Sequence, residues 1–192
     1  MLRSDALLLE GLRAGQESAF AELFQRYYRR VYGILYRLVG EEADDLAQEV
    51  FLRLYRRPPG AETALSAWLY RVATRLGYNA LRAERRRQSY QQRAWESEAN
   101  HQPGASRNAP EPEDQATRSE TQHLVRQALA RLSRREAQIL VLRYSDLSYR
   151  EIAQALGLAE GSVGTFLARA ERRFAQVYGQ LGGAEHDKGG GA

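Results

Sequence analysis

Residues 148–174, SYREIAQALGLAEGSVGTFLARAERRF, place small, polar and apolar residues where two short crossing helices need them. Ser148 and Glu151 form an S-x-x-E pair, in which hydroxyl and carboxylate each satisfy an amide the first helical turn leaves without a partner. The helix that starts there turns Ile152 and Ala153 inward, with Ala153 small where two helices cross. Gly157 supplies the backbone freedom for a sharp turn, and Val163 returns the second helix to the same core. That helix aligns Val163, Leu167, Ala170, Phe174 and Val177 on one face, which turns Ser162, Thr165, Ala168, Arg169 and Arg172 to solvent. The pattern predicts a helix-turn-helix, and its hydroxyl and arginine face suits base edges and phosphates in a major groove. The alternative is an ordinary helical hairpin with solvated arginines.

The N-terminal half carries two further faces. A helix is expected near Asp5 to Ala14, then a longer one with Phe20, Phe24, Tyr28, Val31, Leu35 and Leu38 along a stripe. In EEADDLAQEVFLRLYRR, Ala43, Leu46, Ala47, Val50, Phe51 and Leu54 share one face, while Asp45, Gln48, Glu49 and Leu52 line a second. This second stripe is either a solvated face or, with Leu52 beside the acids, a dock for a basic partner surface. The next helix, about Thr63 to Arg85, is expected to bury Leu65, Trp68, Leu69, Val72, Ala73, Leu76 and Ala80. Its opposite ridge carries Arg71, Arg75, Tyr78, Arg82 and Arg85, continued by Arg86 and Arg87. Arginines there can hold phosphates while Tyr78 offers a stacking surface for an unpaired base. The alternative is a solvated basic face with Tyr78 at the core edge.

Composition bounds the remaining classes. The chain has 192 residues and a formal charge of +4, which suits a polyanionic partner. Every one of its 28 basic residues except Lys188 is arginine. It contains no cysteine, so disulfides, thiolate chemistry and Cys-ligated zinc are excluded. His101, His123 and His186 are scattered, and Asp44, Asp45 and Glu49 form the only candidate carboxylate group. No enzyme activity, metal or cofactor is therefore expected. Without a long apolar run or signal-peptide pattern, the expectation is a protein that stays in the cytoplasm and is not inserted in a membrane.

Residues 94–120 lose helical periodicity, hold Pro103, Pro110 and Pro112, and are rich in acids, which predicts a flexible acidic linker. The expected fold is all-α: a helical domain over 1–93, that linker, a helix-turn-helix domain over 121–179, and a disordered glycine-rich tail over 180–192.

The order of DDLAQEVFLRLYRR, SAWLYRVATRLGYNALRAERRR, an acidic linker and LSRREAQILVLRYSDLSYREIAQALGLAEGSVGTFLARAERRF resembles the bacterial sigma factors of the extracytoplasmic-function group, from about Ser18 to Phe174. The resemblance implies a transcription initiation factor that brings core RNA polymerase to promoters through two domains, region 2 and region 4. It implies that Asp45, Gln48, Glu49 and Leu52 meet the clamp helices of the polymerase β′ subunit. It assigns Arg71, Arg75, Tyr78, Asn79, Arg82, Arg85 and Arg86 to the −10 element and its separated strand. It makes residues 57–62 a loop that captures a flipped base. Ser162, Thr165, Arg169, Arg172 and Arg173 would read the −35 element, and region 4 would also touch the β flap. Family habit adds an anti-sigma partner, which can hold such a factor at the membrane. Arg75, Gly164, Phe166 and Glu171 depart from the family pattern; Phe166 falls at core spacing, three residues after Val163 and four before Ala170. The competing function is a free-standing helix-turn-helix regulator, which would bind a duplex operator without polymerase.

Overall fold

The computed structural model describes residues 3–60, 63–98 and 113–186. Its elements are α1 (Asp5–Arg13), α2 (Glu17–Val39), α3 (Ala43–Arg56), α4 (Leu65–Glu98), α5 (Glu113–Arg131), α6 (Arg134–Arg143), α7 (Tyr149–Leu156) and α8 (Val163–His186). Short 3-10 turns, Gly40–Glu42 and Glu160–Ser162, precede α3 and α8. No strand occurs among the described residues, and none of their helices is long and apolar enough to cross a membrane.

Local chemistry sets most helix boundaries. Ser148 Oγ accepts from the Glu151 amide at 3.3 Å and Glu151 Oε2 accepts from the Ser148 amide at 2.9 Å, so the capping box is formed as its sequence predicts. Ser133 and Glu136 build a second box at the start of α6 from the same S-x-x-E spelling. Gly157 ends α7 at φ 64°, the left-handed conformation that glycine adopts at little cost.

α2 is the hub of the N-terminal domain, packing on α1, α3 and α4. Its Leu23, Val31, Ile34, Leu35 and Leu38 are buried, whereas Phe20, Phe24, Tyr28 and Tyr32 are half-buried and stack along the helix. Phe51 of α3 closes on this row with its ring centroid 4.7 Å from that of Phe24. In the C-terminal domain, α6, α7 and α8 bury Ile139, Leu142, Ile152, Val163, Leu167 and Ala170.

The two domains also pack on each other, and α4 is shared by both. It meets α2 and α3 on one side and α5, α6 and α7 on the other, so one apolar core runs from Leu8 to Leu181. α4 is consequently buried on two sides. Leu65, Leu69 and Ala73 face the N-terminal core, while Tyr70, Thr74 and Tyr78 are covered as well. The expected single buried stripe was too narrow, and Trp68, Val72, Leu76 and Ala80 are only half-buried.

Two boundaries differ from those expected. Helical backbone continues in α4 to Glu98 and resumes in α5 at Glu113, inside the span 94–120 read as linker, of which 99–112 lie outside the described residues. α8 runs to His186, beyond the start at 180 expected for the tail, because Leu181, itself 7% exposed, joins buried Val177 and half-buried Phe174 and Tyr178 against the core. Residues 187–192 lie outside the described residues.

Candidate nucleic-acid interface

Three surfaces carry the residues singled out in the sequence. On α3, Asp45, Gln48 and Leu52 are exposed and Glu49 is half-buried, all on one side of the helix. Leu52 is 39% and Tyr55 52% exposed, and with Phe20 and Phe24 they floor a shallow recess rimmed by Asp45 and Glu49. Gln48 donates to Asp44 at 2.9 Å and Arg53 to Glu49 at 2.7 Å, one turn apart in each case. The Tyr28 hydroxyl donates to the Asp44 carboxylate. That hydrogen bond, followed by partial desolvation and the charge of Asp44, pushes the phenol up to about 12. The result is an apolar floor under negative charge, suited to an amphipathic basic surface.

The ridge on α4 divides. Arg75, Asn79, Arg85 and Arg86 are exposed at its surface. Arg71 is turned onto α7, donating Nε to the Ala155 carbonyl at 2.8 Å and Nη2 to that of Gln154 at 2.9 Å. Arg82 and Arg85 both donate to the Ala130 carbonyl, at 3.1 and 3.0 Å. Burial, then the neighbouring charges of Arg131 and Arg82, hold the Arg85 guanidinium below its ordinary value. Tyr78 is 8% exposed and its hydroxyl donates to the Leu132 carbonyl at 2.8 Å. With the domains packed, therefore, Tyr78 is a core-edge residue and offers no face to a base. Sequence spacing put Tyr78 on the arginine ridge, and it is there; what spacing could not supply is the second domain lying over it.

On α8, Thr165, Arg169, Arg172 and Arg173 are exposed, and Ser162 is half-buried in the turn before it. Phe166 packs against the core with the Arg135 guanidinium 5.6 Å from its ring centroid, so it belongs to the helix pair and not to the outer face. Between α2 and α4, Arg37 Nη1 bonds its own helix at Gly33, and Arg30 reaches across to the Tyr70 hydroxyl at 3.3 Å and to Glu151 at 3.6 Å. Burial pushes the Glu151 carboxyl up, but the Ser148 amide, the Ser148 hydroxyl and Arg30 pull it further down, and the net value lies below the ordinary one. The link from Arg30 to Glu151 and the Gln138 to Thr74 hydrogen bond at 3.2 Å carry no sequence signal. In the connector after α3, Arg13 donates to the carbonyl of buried Pro59, while Ala61 and Glu62 lie outside the described residues.

Comparison with known proteins matches two separate stretches of the chain. Residues 23–87 match the family described as Sigma-70 region 2, and residues 122–174 match Sigma-70, region 4. The chain is 31% identical over 172 residues to the ECF RNA polymerase sigma-E factor of Haemophilus influenzae, covering 87% of this chain and 91% of that protein. It is 31% identical over 185 residues to the ECF RNA polymerase sigma factor SigM of Mycobacterium tuberculosis, covering 93% of this chain and 87% of that one. Among solved structures, CnrH in complex with the cytosolic domain of CnrY shares the fold, with a TM-score of 0.58 at 17% identity over 90% of this chain and 96% of that one.

Proposed function

This chain belongs to the extracytoplasmic-function group of the sigma-70 family and directs RNA polymerase to promoters, and we propose that three separate faces divide that work. Asp45, Gln48, Glu49 and Leu52 on α3 dock the β′ clamp helices. Arg71, Arg75, Asn79, Arg82, Arg85 and Arg86 on α4 hold the −10 strand. Ser162, Thr165, Arg169, Arg172 and Arg173 read the −35 duplex, with region 4 also meeting the β flap. The two domains proposed to carry these faces are those expected over 1–93 and 121–179, with α4 continuing to Glu98 and α8 to His186. The observation that supports this division best is the α3 face, where Leu52 and Tyr55 are exposed beside half-buried Phe20 beneath the acidic rim of Asp45 and Glu49.

The chemistry of such a factor is recruitment. Polymerase forms the phosphodiester bonds; this chain supplies contacts that become strong together because two weak DNA sites are held on one body at raised effective concentration. Arginines on α4 would neutralise strand phosphates, which offsets the few kcal/mol lost on unstacking a base. Work on polymerase sets the chain in the bacterial cytoplasm. An anti-sigma partner is proposed on the strength of CnrH, whose structure holds the cytosolic domain of CnrY. An apolar recess between the domains, lined by Tyr36, Val125, Leu129, Leu140, Tyr144 and Phe174, gives such a partner a face.

The test is binding to purified bacterial core polymerase by the native chain and by an Asp45→Arg/Gln48→Ala/Glu49→Arg variant. Reversing two rim charges should weaken binding by about a hundredfold or more, since juxtaposed like charges cost several kcal/mol. Equal binding by both chains would remove α3 from the interface. Sequence-specific duplex binding with no affinity for polymerase in either chain would support the free-standing regulator instead.

A further inference from the structure

A cavity of about 260 Å³ lies where α5 crosses α4 beside the end of α2. Its wall is apolar, with Leu38, Val39 and Leu81, and three arginines line it, Arg85 from α4 and Arg126 and Arg131 from α5. Among the described residues, the side chains of Arg126 and Arg131 have neither a hydrogen bond nor an ion pair, and Arg85 gives one N–H to the Ala130 carbonyl. Gly40 makes room for this. It stands at φ 66°, and a Cβ there would lie 3.2 Å from Nη1 and 3.4 Å from Cζ of Arg126. The Arg126 guanidinium is thus laid against the C-terminal end of α2, whose partial negative charge offsets only a fraction of its own. The carboxylates at the rim leave the rest unmet. Glu84 is taken by Arg87 and by Gln88, at 2.8 and 2.9 Å, and Glu42 is exposed and pairs with none of the three arginines.

We propose that this cavity binds a small organic phosphate ester, its phosphate held by Arg85, Arg126 and Arg131 and its body laid on Leu38, Val39 and Leu81. Like charges gathered without an acid repel one another, and burial together with Arg131 and Arg82 already disfavours the charged form of Arg85. An anion among them turns that repulsion into attraction. Phosphate suits the arrangement better than carboxylate, because it offers three oxygens and up to two charges to guanidinium forks arriving from two helices. Size narrows the class. The cavity is smaller than the roughly 300–1,000 Å³ of pockets for drug-sized ligands, which points to a sugar phosphate or a mononucleotide. Gln127 and His123, bonded to each other at 2.7 Å, add polar groups suited to the hydroxyls of such a body. Arg85 also belongs to the α4 ridge, whereas Arg126, Arg131 and His123 have no part in the three faces that serve polymerase and promoter.

The test is isothermal titration calorimetry of the full chain with ribose 5-phosphate, adenosine 5′-monophosphate and adenosine. Saturable binding of at least one of the two phosphates, and none of adenosine, is expected. Binding of neither phosphate, or of adenosine as tightly as its phosphate, would overturn the site. Arg126→Gln and Arg131→Gln should each weaken binding by about tenfold or more, the effect of losing a hydrogen bond to a charged group. Arg131 is exposed, so its variant should keep the native far-UV circular dichroism, and native affinity in both variants would overturn the assignment. Arg29→Gln removes the same charge from an exposed position on α2 outside the cavity and should leave the affinity unchanged. An equal loss there would mean that net charge and not the cavity holds the ligand. If neither phosphate bound while Arg126→Gln weakened the binding of a mixed-sequence single-stranded oligonucleotide, these arginines would belong to a DNA strand and the small-ligand site would fall.

Discussion

Tyr78→Phe isolates a single interdomain hydrogen bond. The phenol donates to the Leu132 carbonyl at 2.8 Å, its ring is 8% exposed, and Leu132 is 2% exposed. Phenylalanine keeps the ring and therefore opens no cavity, so the loss is the bond and the buried carbonyl left without its donor. A net hydrogen bond contributes about 1 kcal/mol, and stranding a buried acceptor costs about 1–3 kcal/mol, so we expect a destabilisation of about 1–2 kcal/mol. Urea denaturation followed by far-UV circular dichroism should show a lower midpoint with an unchanged slope, because the surface exposed on unfolding is the same. The two domains share one apolar core through α4, so the loss should register in the unfolding of the whole chain. Tyr90→Phe, at a site 69% exposed, serves as the control and should stay within about 0.5 kcal/mol. A Tyr78→Phe shift as small as the control would refute the reasoning, for it would mean that the C-terminal domain does not sit on α4 in solution.

Gly77→Ala tests the approach of α4 to α2. A Cβ built there lies 2.7 Å from Leu38 Cδ1 and 3.2 Å from Leu38 Cβ, and Leu38 is fully buried. Overpacking of about 1–3 kcal/mol should outweigh the helix-propensity gain of about 1 kcal/mol, which thermal or urea unfolding would measure. Acid should loosen the start of α7. The Glu151 carboxyl titrates below its ordinary value of 4.5, so its stabilising contribution is present above that value and is lost as pH falls through the lower folded one. Stability against pH should accordingly lose part of its acid limb in Glu151→Gln, and an unchanged limb would show that the capping carboxylate is not coupled to folding.

The comparison of sequence with structure turns on distance along the chain. The S-x-x-E boxes at Ser133 and Ser148 act between residues three apart, so spelling alone determines where α6 and α7 begin. Gly157 ends α7 for an equally local reason. The α3 face was legible because a helix of known period places Asp45, Gln48, Glu49 and Leu52 together, whatever lies elsewhere. Phe166 was placed in the core by its spacing from Val163 and Ala170, and the structure adds only its stacking under Arg135. The α4 ridge was different. Its period is also plain, but whether Tyr78 faces solvent or a second domain depends on Leu132, and Arg71 finds its acceptor in Ala155, 84 residues downstream. By itself the sequence determined the helices, the capped starts of α6 and α7, the end of α7 at Gly157 and the chemistry of each face, because those depend on neighbours within one or two turns. Only the tertiary structure decided which of those faces is covered, because burial of a side chain is a property of whatever distant surface comes to lie against it.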